Sequence, residues 1–227
     1  MISYETSTDS DAMRKAHRSL LTPSFRPDEL VPEDDFVAQF EEGAEAVLAR
    51  DEHGLLLGAA VLERFGDAVL LEYLVAAAES RGSGVGSGLM SRVLSAWGPS
   101  SSVLLAEFDR PDVQEPHPMH GDPTARLRFY DRFGGLALDL PYFQPPVAPG
   151  SAREYGMLLA MFDRDGSTAE RGVLDSEQQR AVQRYLDEIL QTADDPDAER
   201  LRIAAAAPDG LRVLPLGDYA EIARSPL

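Results

Sequence analysis

The sequence predicts an α/β (α+β) protein built on a mixed, mostly antiparallel sheet of six to seven strands flanked by helices. Three apolar runs, at residues 44–50, 55–65 and 68–76, are separated by short turns, as in consecutive antiparallel hairpins. A glycine-rich turn and a helix-like stretch then lead to a fourth apolar run at residues 102–108, which predicts a strand–helix–strand unit. After residue 162 the pattern becomes helical, which predicts a helical C-terminal extension.

Two helices are predicted before the first strand. Residues 9–22 begin with the capping residues Asp9 and Ser10 and then repeat apolar residues at helical spacing. A loop punctuated by prolines follows, and residues 33–43 form a second, shorter helix-like stretch. The predicted order therefore opens with two helices and continues with the three strands.

After the fourth strand the sequence predicts a short helix, two strands, an amphipathic helix and a further helix at residues 195–207. Residues 124–134 form a short helix that ends at a glycine pair, and two closing strands follow at residues 136–143 and 154–162. The stretch at residues 175–191 is strongly amphipathic, with an apolar stripe along one face. That stripe must be buried somewhere, either on the same chain or across a homodimer.

The length of 227 residues allows one domain with an appendage. We assign residues 1–163 to the main domain and residues 164–227 to the helical extension. The motifs described below all lie in the first of these two segments.

The composition narrows the class of protein. A net charge of −18 argues against binding nucleic acid or an anionic membrane surface, because both require a basic face. No stretch is long and apolar enough to span a membrane, and the N-terminus does not resemble a signal peptide. The chain has no cysteine, so disulfides and thiolate chemistry are excluded. We therefore expect a cytoplasmic protein.

The turn at residues 81–88 suits an anion. Glycine-rich backbone at a helix start exposes amide groups, and the helix dipole adds about half a positive charge there. No Lys-Ser/Thr pair follows, so the turn is not a P-loop, and it matches the dinucleotide fingerprint only loosely. A glycine-rich cap without a ligand is the alternative interpretation.

Two motifs together resemble the GNAT (GCN5-related) N-acetyltransferase superfamily. RGSGVG at residues 81–86 matches its R/Q-x-x-G-x-G/A motif, and ARLRFYDRFGGLAL at residues 125–138 is similar to its later A-x-x-F-Y-x-x-x-G-F helix. Ala78 stands where the family often has proline, and Leu136 replaces the usual phenylalanine. The resemblance covers roughly residues 1–162 in element order and implies a GNAT-like fold that uses acetyl-CoA.

The resemblance also implies a set of site residues. Tyr130 would be the general acid that protonates the departing thiolate, and it would lie near the cofactor. The pantetheine arm would pair with the end of the preceding strand at Leu74, Val75 and Ala76. The diphosphate would bind the turn residues Arg81, Gly82, Ser83, Gly84, Val85 and Gly86.

Two acidic residues interrupt otherwise apolar strands, Glu72 and Glu107. Burying an unpaired carboxylate is costly, so each must be paired, hydrated or functional. Both are therefore candidates for the general base that deprotonates the acceptor ammonium. The alternative for each is an ion pair with a strand-end arginine such as Arg110.

The histidines His117 and His120 lie in a proline-rich loop with no helix to aim them at one point, so we predict no metal site. The sequence thus predicts an N-acetyltransferase that transfers an acetyl group from acetyl-CoA to a primary amine of a small molecule or peptide. Direct attack in a ternary complex is expected, because no cysteine or serine nucleophile motif is present. A non-catalytic acyl-CoA sensing module and an acyltransferase with a longer donor are the alternatives.

Overall fold

A computed structural model describes residues 1–96, 102–117, 121–163, 165–190 and 195–225 of the protein. The helices of this described part are α1 (Ser10–Ala16), α2 (Glu33–Ala38), α3 (Val85–Ala96), α4 (Pro123–Asp131), α5 (Ser167–Arg171), α6 (Ser176–Ile189) and α7 (Pro196–Ala205). Its strands are β1 (Ser3–Ser7), β2 (Glu45–Arg50), β3 (Leu56–Phe65), β4 (Ala68–Ala76), β5 (Val103–Asp109), β6 (Gly135–Leu138), β7 (Met157–Phe162) and β8 (Val213–Pro215).

The chain divides into two compact units. The first unit consists of Met1–Arg64, Leu70–Gly98 and Val147–Pro149, and the second of Phe65–Val69, Pro99–Pro146 and Gly150–Leu227. The fold class is the predicted one, a mixed α/β protein whose strands are mostly antiparallel. Within the described residues there are eight strands, where six to seven were predicted.

The first unit carries the strands in the order β1-β2-β3-β4. The predicted runs at 44–50, 55–65 and 68–76 are confirmed as β2, β3 and β4. Strand β1 was not predicted, because its sequence SYETS is short, polar and partly exposed. It pairs antiparallel with β2, from Ser3 opposite Arg50 to Ser7 opposite Ala46, so tertiary pairing makes it a strand.

The helices α1 and α2 cover an apolar core on the first unit. Met13, Phe36, Val61 and Tyr73 are among the buried side chains of this core. The first predicted helix is confirmed, but its last turn, His17–Leu21, is a π-helix that ends with the Thr22 amide donating to the His17 carbonyl at 2.9 Å. The sequence pattern could not show this widening, because five residues form little more than one turn and carry no repeat of either helical period.

The second unit carries the strands in the order β5-β7-β6-β8, all paired antiparallel. The predicted runs at 102–108 and 154–162 are confirmed as β5 and β7. The predicted strand at 136–143 ends early, at Leu138. The amides of Leu140 and Tyr142 donate to carbonyls two residues earlier, so the chain turns where a strand would have continued.

The amphipathic helix of the extension is confirmed as α6, capped by Asp175 with Gln178 in a capping box. Its stripe is buried within the second unit, where the Tyr185 ring meets Phe65 edge-on at 5.1 Å between centroids. The segment after residue 163 is not wholly helical, because β8 pairs with β6. The division into a main domain at residues 1–163 and an extension at residues 164–227 remains a prediction, as does a homodimer.

Candidate functional site

The glycine turn lies in the first unit, between β4 and α3. A short 3₁₀ turn, Ala78–Ser80, follows the strand, and α3 begins at Val85. Gly82 and Gly84 have φ values of 78° and 91°, which is the left-handed region that other residues rarely adopt. The glycines are therefore required by the path of the backbone at these two positions.

Several backbone amides of the turn make no backbone hydrogen bond. Gly88 donates to the Gly84 carbonyl at 2.9 Å and is the first amide bonded in the α-helical pattern of α3. Within the described residues, a backbone hydrogen bond is absent at the amides of Gly82, Gly84, Val85, Gly86 and Ser87. A Cβ placed on Gly82 or Gly84 would meet nothing within 4 Å. The turn is thus an open, donor-rich cradle that fits an anion.

Two further glycines set the position of α3. A Cβ on Gly58 of β3 would lie 2.6 Å from the Val75 carbonyl oxygen and 2.8 Å from the Val85 side chain. A Cβ on Gly88 would lie 1.9 Å from the Tyr4 hydroxyl of β1. Helix α3 and β1 therefore approach closely at Gly88, and a side chain there would collide with this tyrosine. Gly58 was not recognised in the sequence, where its signal was a lone glycine within an apolar run.

Strand β4 leads into the cradle with alternating burial. Glu72, Leu74 and Ala76 are partly exposed, whereas Tyr73 and Val75 are buried in the core. Glu72, Leu74 and Ala76 therefore share one face of β4. The residues expected to bind the pantetheine arm lie on the stretch of β4 nearest the turn.

Glu72 contacts the end of α2. The Gln39 amide nitrogen Nε2 donates to Glu72 Oε1 at 3.4 Å, and Gln39 Oε1 is buried. This partner is an amide that lies 33 residues away in sequence. Gln39 carried no signal in the sequence, because a glutamine near a helix end is ordinarily a surface residue.

Glu107 lies in the second unit and is surrounded by donors. Its Oε1 accepts from the hydroxyls of Tyr142 and Tyr185, the latter at 2.6 Å, and its Oε2 accepts from Gln144 Nε2 at 2.7 Å. Burial, followed by the nearby carboxylate, raises the pKa of both tyrosines well above the usual value. The two phenols therefore remain donors, and Glu107 ties β5 to α6 of the extension.

Arg110 does not pair with either strand carboxylate. It is 1% exposed, donates from Nε to Asp112 Oδ1 at 3.1 Å, and donates from its NH1 group to the Ile222 carbonyl at 3.0 Å. Arg224 meets the same Asp112 at 2.7 Å. This arginine therefore anchors the C-terminal tail within the second unit.

Tyr130 lies on α4 of the second unit, packed between the rings of Phe108 and Phe162 at centroid distances of 5.3 and 5.5 Å. It is 5% exposed, and burial raises the pKa of its phenol. The group is therefore protonated at neutral pH, which is the state a proton donor requires. The neighbouring Phe129 packs against Phe133, as expected of a structural aromatic residue.

The histidine loop is described only in part. His117 pairs with Gly121 in an isolated antiparallel bridge, whereas His120 lies outside the described residues. In the part of the chain that the structure describes, three acidic, histidine or cysteine side chains never converge as a metal site would require. Nor does any helix of that part have the length and apolar character needed to cross a bilayer.

Comparison with solved structures places this geometry in context. A protein from Bacteroides thetaiotaomicron assigned to the GNAT family of acetyltransferases is 21% identical, with a TM-score of 0.60 over 83% of this chain and 97% of that one. An acetyltransferase structure from Acinetobacter baylyi is 15% identical, with a TM-score of 0.52 over 71% and 92%. The ribosomal-protein-S18-alanine N-acetyltransferase from Escherichia coli is 12% identical, with a TM-score of 0.50 over 71% and 93%.

By sequence, no protein-family model and no curated protein matches the chain. The structural likeness nevertheless agrees with the two motifs and the element order. The chain therefore has the GNAT fold.

Proposed function

We propose that the protein is an acetyl-CoA-dependent N-acetyltransferase that acetylates a primary amine by direct attack. The observation that carries this proposal is the cradle at residues 81–86, whose exposed amides open α3 in a chain with the GNAT fold. An acceptor for those amides must be negatively charged and compact, and a diphosphate meets both conditions. Arg81 adds a positive group in a chain of net charge −18.

The residues of the cradle fit the cofactor on structural grounds. Arg81, Gly82, Ser83 and Gly84 are all exposed, and the space beside both left-handed glycines is open. The edge formed by Leu74, Val75 and Ala76 would hold the pantetheine arm. When bound, acetyl-CoA supplies the acyl thioester. The protein is left to orient it, to deprotonate the acceptor and to protonate the leaving sulfur.

We assign the two proton transfers to Glu72 and Tyr130. Glu72 would remove a proton from the acceptor ammonium, and the protonated phenol of Tyr130 would supply one to the departing thiolate. Glu107 is the second candidate base. Its two oxygens already accept three hydrogen bonds from side chains of the second unit.

Two alternatives remain distinct from this proposal. A non-catalytic acyl-CoA sensing module would keep the cradle and need neither proton transfer. An acyltransferase with a longer donor would use the same residues with a different acyl pocket. We propose a small-molecule or peptide amine as acceptor, and the peptide class is included because the Escherichia coli neighbour is named as a protein-alanine N-acetyltransferase. The acidic charge argues against nucleic acid as a partner.

The first test is cofactor binding followed by thermal unfolding. Acetyl-CoA at a hundredfold excess over its Kd should raise Tm by about 5 °C or more. Gly84→Glu should abolish the shift, but its φ of 91° also strains any side chain. Ser87→Glu avoids that strain. An acid in the first turn of a helix stabilises the free protein, so S87E should lose the shift without losing Tm.

Ser95→Glu at the far end of α3 is the matched control and should keep the shift. Turnover is then followed as thiol release from acetyl-CoA with a panel of small amines and peptides. Release that depends on an amine supports the transferase. A Tm shift without any such release favours the sensor, and faster release from a longer acyl-CoA favours the alternative donor. No Tm shift with any acyl-CoA would refute the cradle itself.

A further inference from the structure

The start of α3 lies over a row of paired residues in the sheet of the first unit. Ala49 of β2 is opposite Gly58 of β3 on one side and opposite Tyr4 of β1 on the other. Residues directly opposite one another in antiparallel strands point to the same face of the sheet. That face is the one under α3, because a Cβ on Gly58 would meet the side chains of Val85 and Leu89. Of the three paired residues only Tyr4 has a large side chain, and it lies beside the helix.

The hydroxyl of Tyr4 lies toward the start of α3. The oxygen and the ring carbon Cζ are 1.9 and 2.2 Å from the position that a Cβ on Gly88 would take. In an α-helix the Cα–Cβ bond tilts toward the N-terminus, so a group at that position covers the preceding turn. That turn begins at Gly84 and Val85, whose amides make no backbone hydrogen bond among the described residues. The tyrosine thus takes the place of a helix side chain over the cradle.

The same hydroxyl is available to a ligand. Tyr4 is partly exposed, and within the described part of the chain its hydroxyl makes no hydrogen bond. The hydroxyls of Tyr73, Tyr142 and Tyr185, by contrast, donate to oxygen atoms of the protein. A phenol donates one hydrogen bond, which is stronger when the acceptor is charged. The donor of Tyr4 therefore remains for solvent or for an anion beside it.

We propose that Tyr4 is a further binding residue of the cradle, donating a hydrogen bond from its hydroxyl to a diphosphate oxygen of acyl-CoA. The inference rests on the proposed function, in which the diphosphate binds the amides of the turn. Gly88 serves this contact, because a side chain there would occupy the position of the tyrosine hydroxyl. The polar strand β1 holds the tyrosine in place through its pairing with β2.

Tyr4→Phe tests the contact with inorganic pyrophosphate, which carries no thioester. The variant keeps the ring against Gly88 and removes only the hydroxyl. Its Kd for pyrophosphate, measured by isothermal titration calorimetry, should rise about tenfold, because a hydrogen bond to a charged acceptor is lost. The Tm of the ligand-free variant should stay within about 1 °C of wild type, as for substitutions that remove no internal contact.

Tyr219→Phe is the matched control. Tyr219 is a partly exposed tyrosine of the second unit whose hydroxyl likewise makes no hydrogen bond in the described part of the chain. Y219F should therefore leave the Kd for pyrophosphate unchanged. An unchanged Kd in folded Y4F would overturn the proposal, as would an equal rise in Y4F and Y219F.

A comparison of two donors separates binding from packing. Acetyl-pantetheine has the thioester of acetyl-CoA but no diphosphate. In Y4F the KM for acetyl-CoA should rise about tenfold with kcat unchanged, whereas kcat/KM for acetyl-pantetheine should not change. Equal losses with the two donors would mean that the tyrosine acts only by positioning α3, which would contradict the proposed contact.

Gly88→Ala tests the position of the ring from the side of the helix. The new methyl group should displace Tyr4, so G88A should weaken pyrophosphate binding as much as Y4F does, and the double variant should lose no more. In a Tyr4→Ala background G88A should raise Tm, because alanine is preferred to glycine in a helix and the collision is gone. A fall in Tm of equal size in both backgrounds would refute the placement of Tyr4.

Failure of the proposed function would give a different result. If pyrophosphate binding depends on Tyr4 but no amine stimulates thiol release, the anion contact stands and the transferase proposal fails. If wild-type protein binds neither pyrophosphate nor acetyl-CoA, both the contact and the cradle are refuted.

Discussion

Glu72 and Glu107 interrupt two apolar strands in much the same way, yet their surroundings differ. Glu107 accepts hydrogen bonds from two tyrosines and a glutamine, so both of its oxygens serve the packing of the second unit. Glu72, in the first unit, meets the amide of a glutamine whose own oxygen has no donor among the described residues. The two acids thus differ in the side chains that distant elements bring to them.

This difference helps to distinguish a carboxylate that stabilises the fold from one that takes part in catalysis. A buried acid that fixes several donors stabilises the fold and would lose those bonds by accepting a proton. Glu72 is the general base that we propose, and experiment can distinguish it from Glu107.

The largest expected effects come from the same substitution at both sites. Glu72→Leu should lower kcat/KM for the amine at least about a hundredfold, because the base is removed. Glu107→Leu should lower the free energy of unfolding by about 3 kcal/mol, because two buried hydroxyls lose their acceptor. Urea denaturation measures the unfolding free energy of both variants, and steady-state kinetics measures their kcat/KM for the amine. The comparison fails if E107L, and not E72L, abolishes turnover in folded protein.

A smaller effect is expected from the tyrosines that share Glu107. Tyr142→Phe and Tyr185→Phe should each cost about 1–2 kcal/mol of unfolding free energy, because each removes one bond to a charged acceptor. Their hydroxyls are 3.1 Å apart, so the double variant should depart from the sum of the two. Additive losses from urea denaturation would show that the cluster is not one network.

The smallest effect is expected at Glu33, an acid paired on the surface. Its hydrogen bond with Arg18 lowers the pKa of the carboxyl to about 2, with Arg14 as the second partner. A lowered pKa stabilises the fold above the unfolded value and is lost as the pH falls from about 4.5 toward 2. Glu33→Gln should therefore lose more stability at pH 6 than at pH 3. Equal losses in urea denaturation at the two pH values would contradict this assignment.

Much of the fold was predictable from periodicity and turn residues. The strands β2 to β5 and β7 follow apolar runs, and α6 follows its stripe and its cap at Asp175. The cradle was also predictable. Its backbone enters the left-handed region at two positions, and the sequence has glycine at both of them, Gly82 and Gly84. The polar strand β1 and the shortened β6 were not predictable, because pairing partners and local turns override propensity there.

The sequence by itself determined the helix and strand pattern, the glycine turn and the presence of two acids on apolar strands. Only the tertiary structure decided which acid is enclosed by donors and which faces Gln39, since the partners are 78 and 33 residues away. The physical reason is that hydrophobic periodicity acts within one element. A buried carboxylate takes its character from the donors that distant elements bring to it.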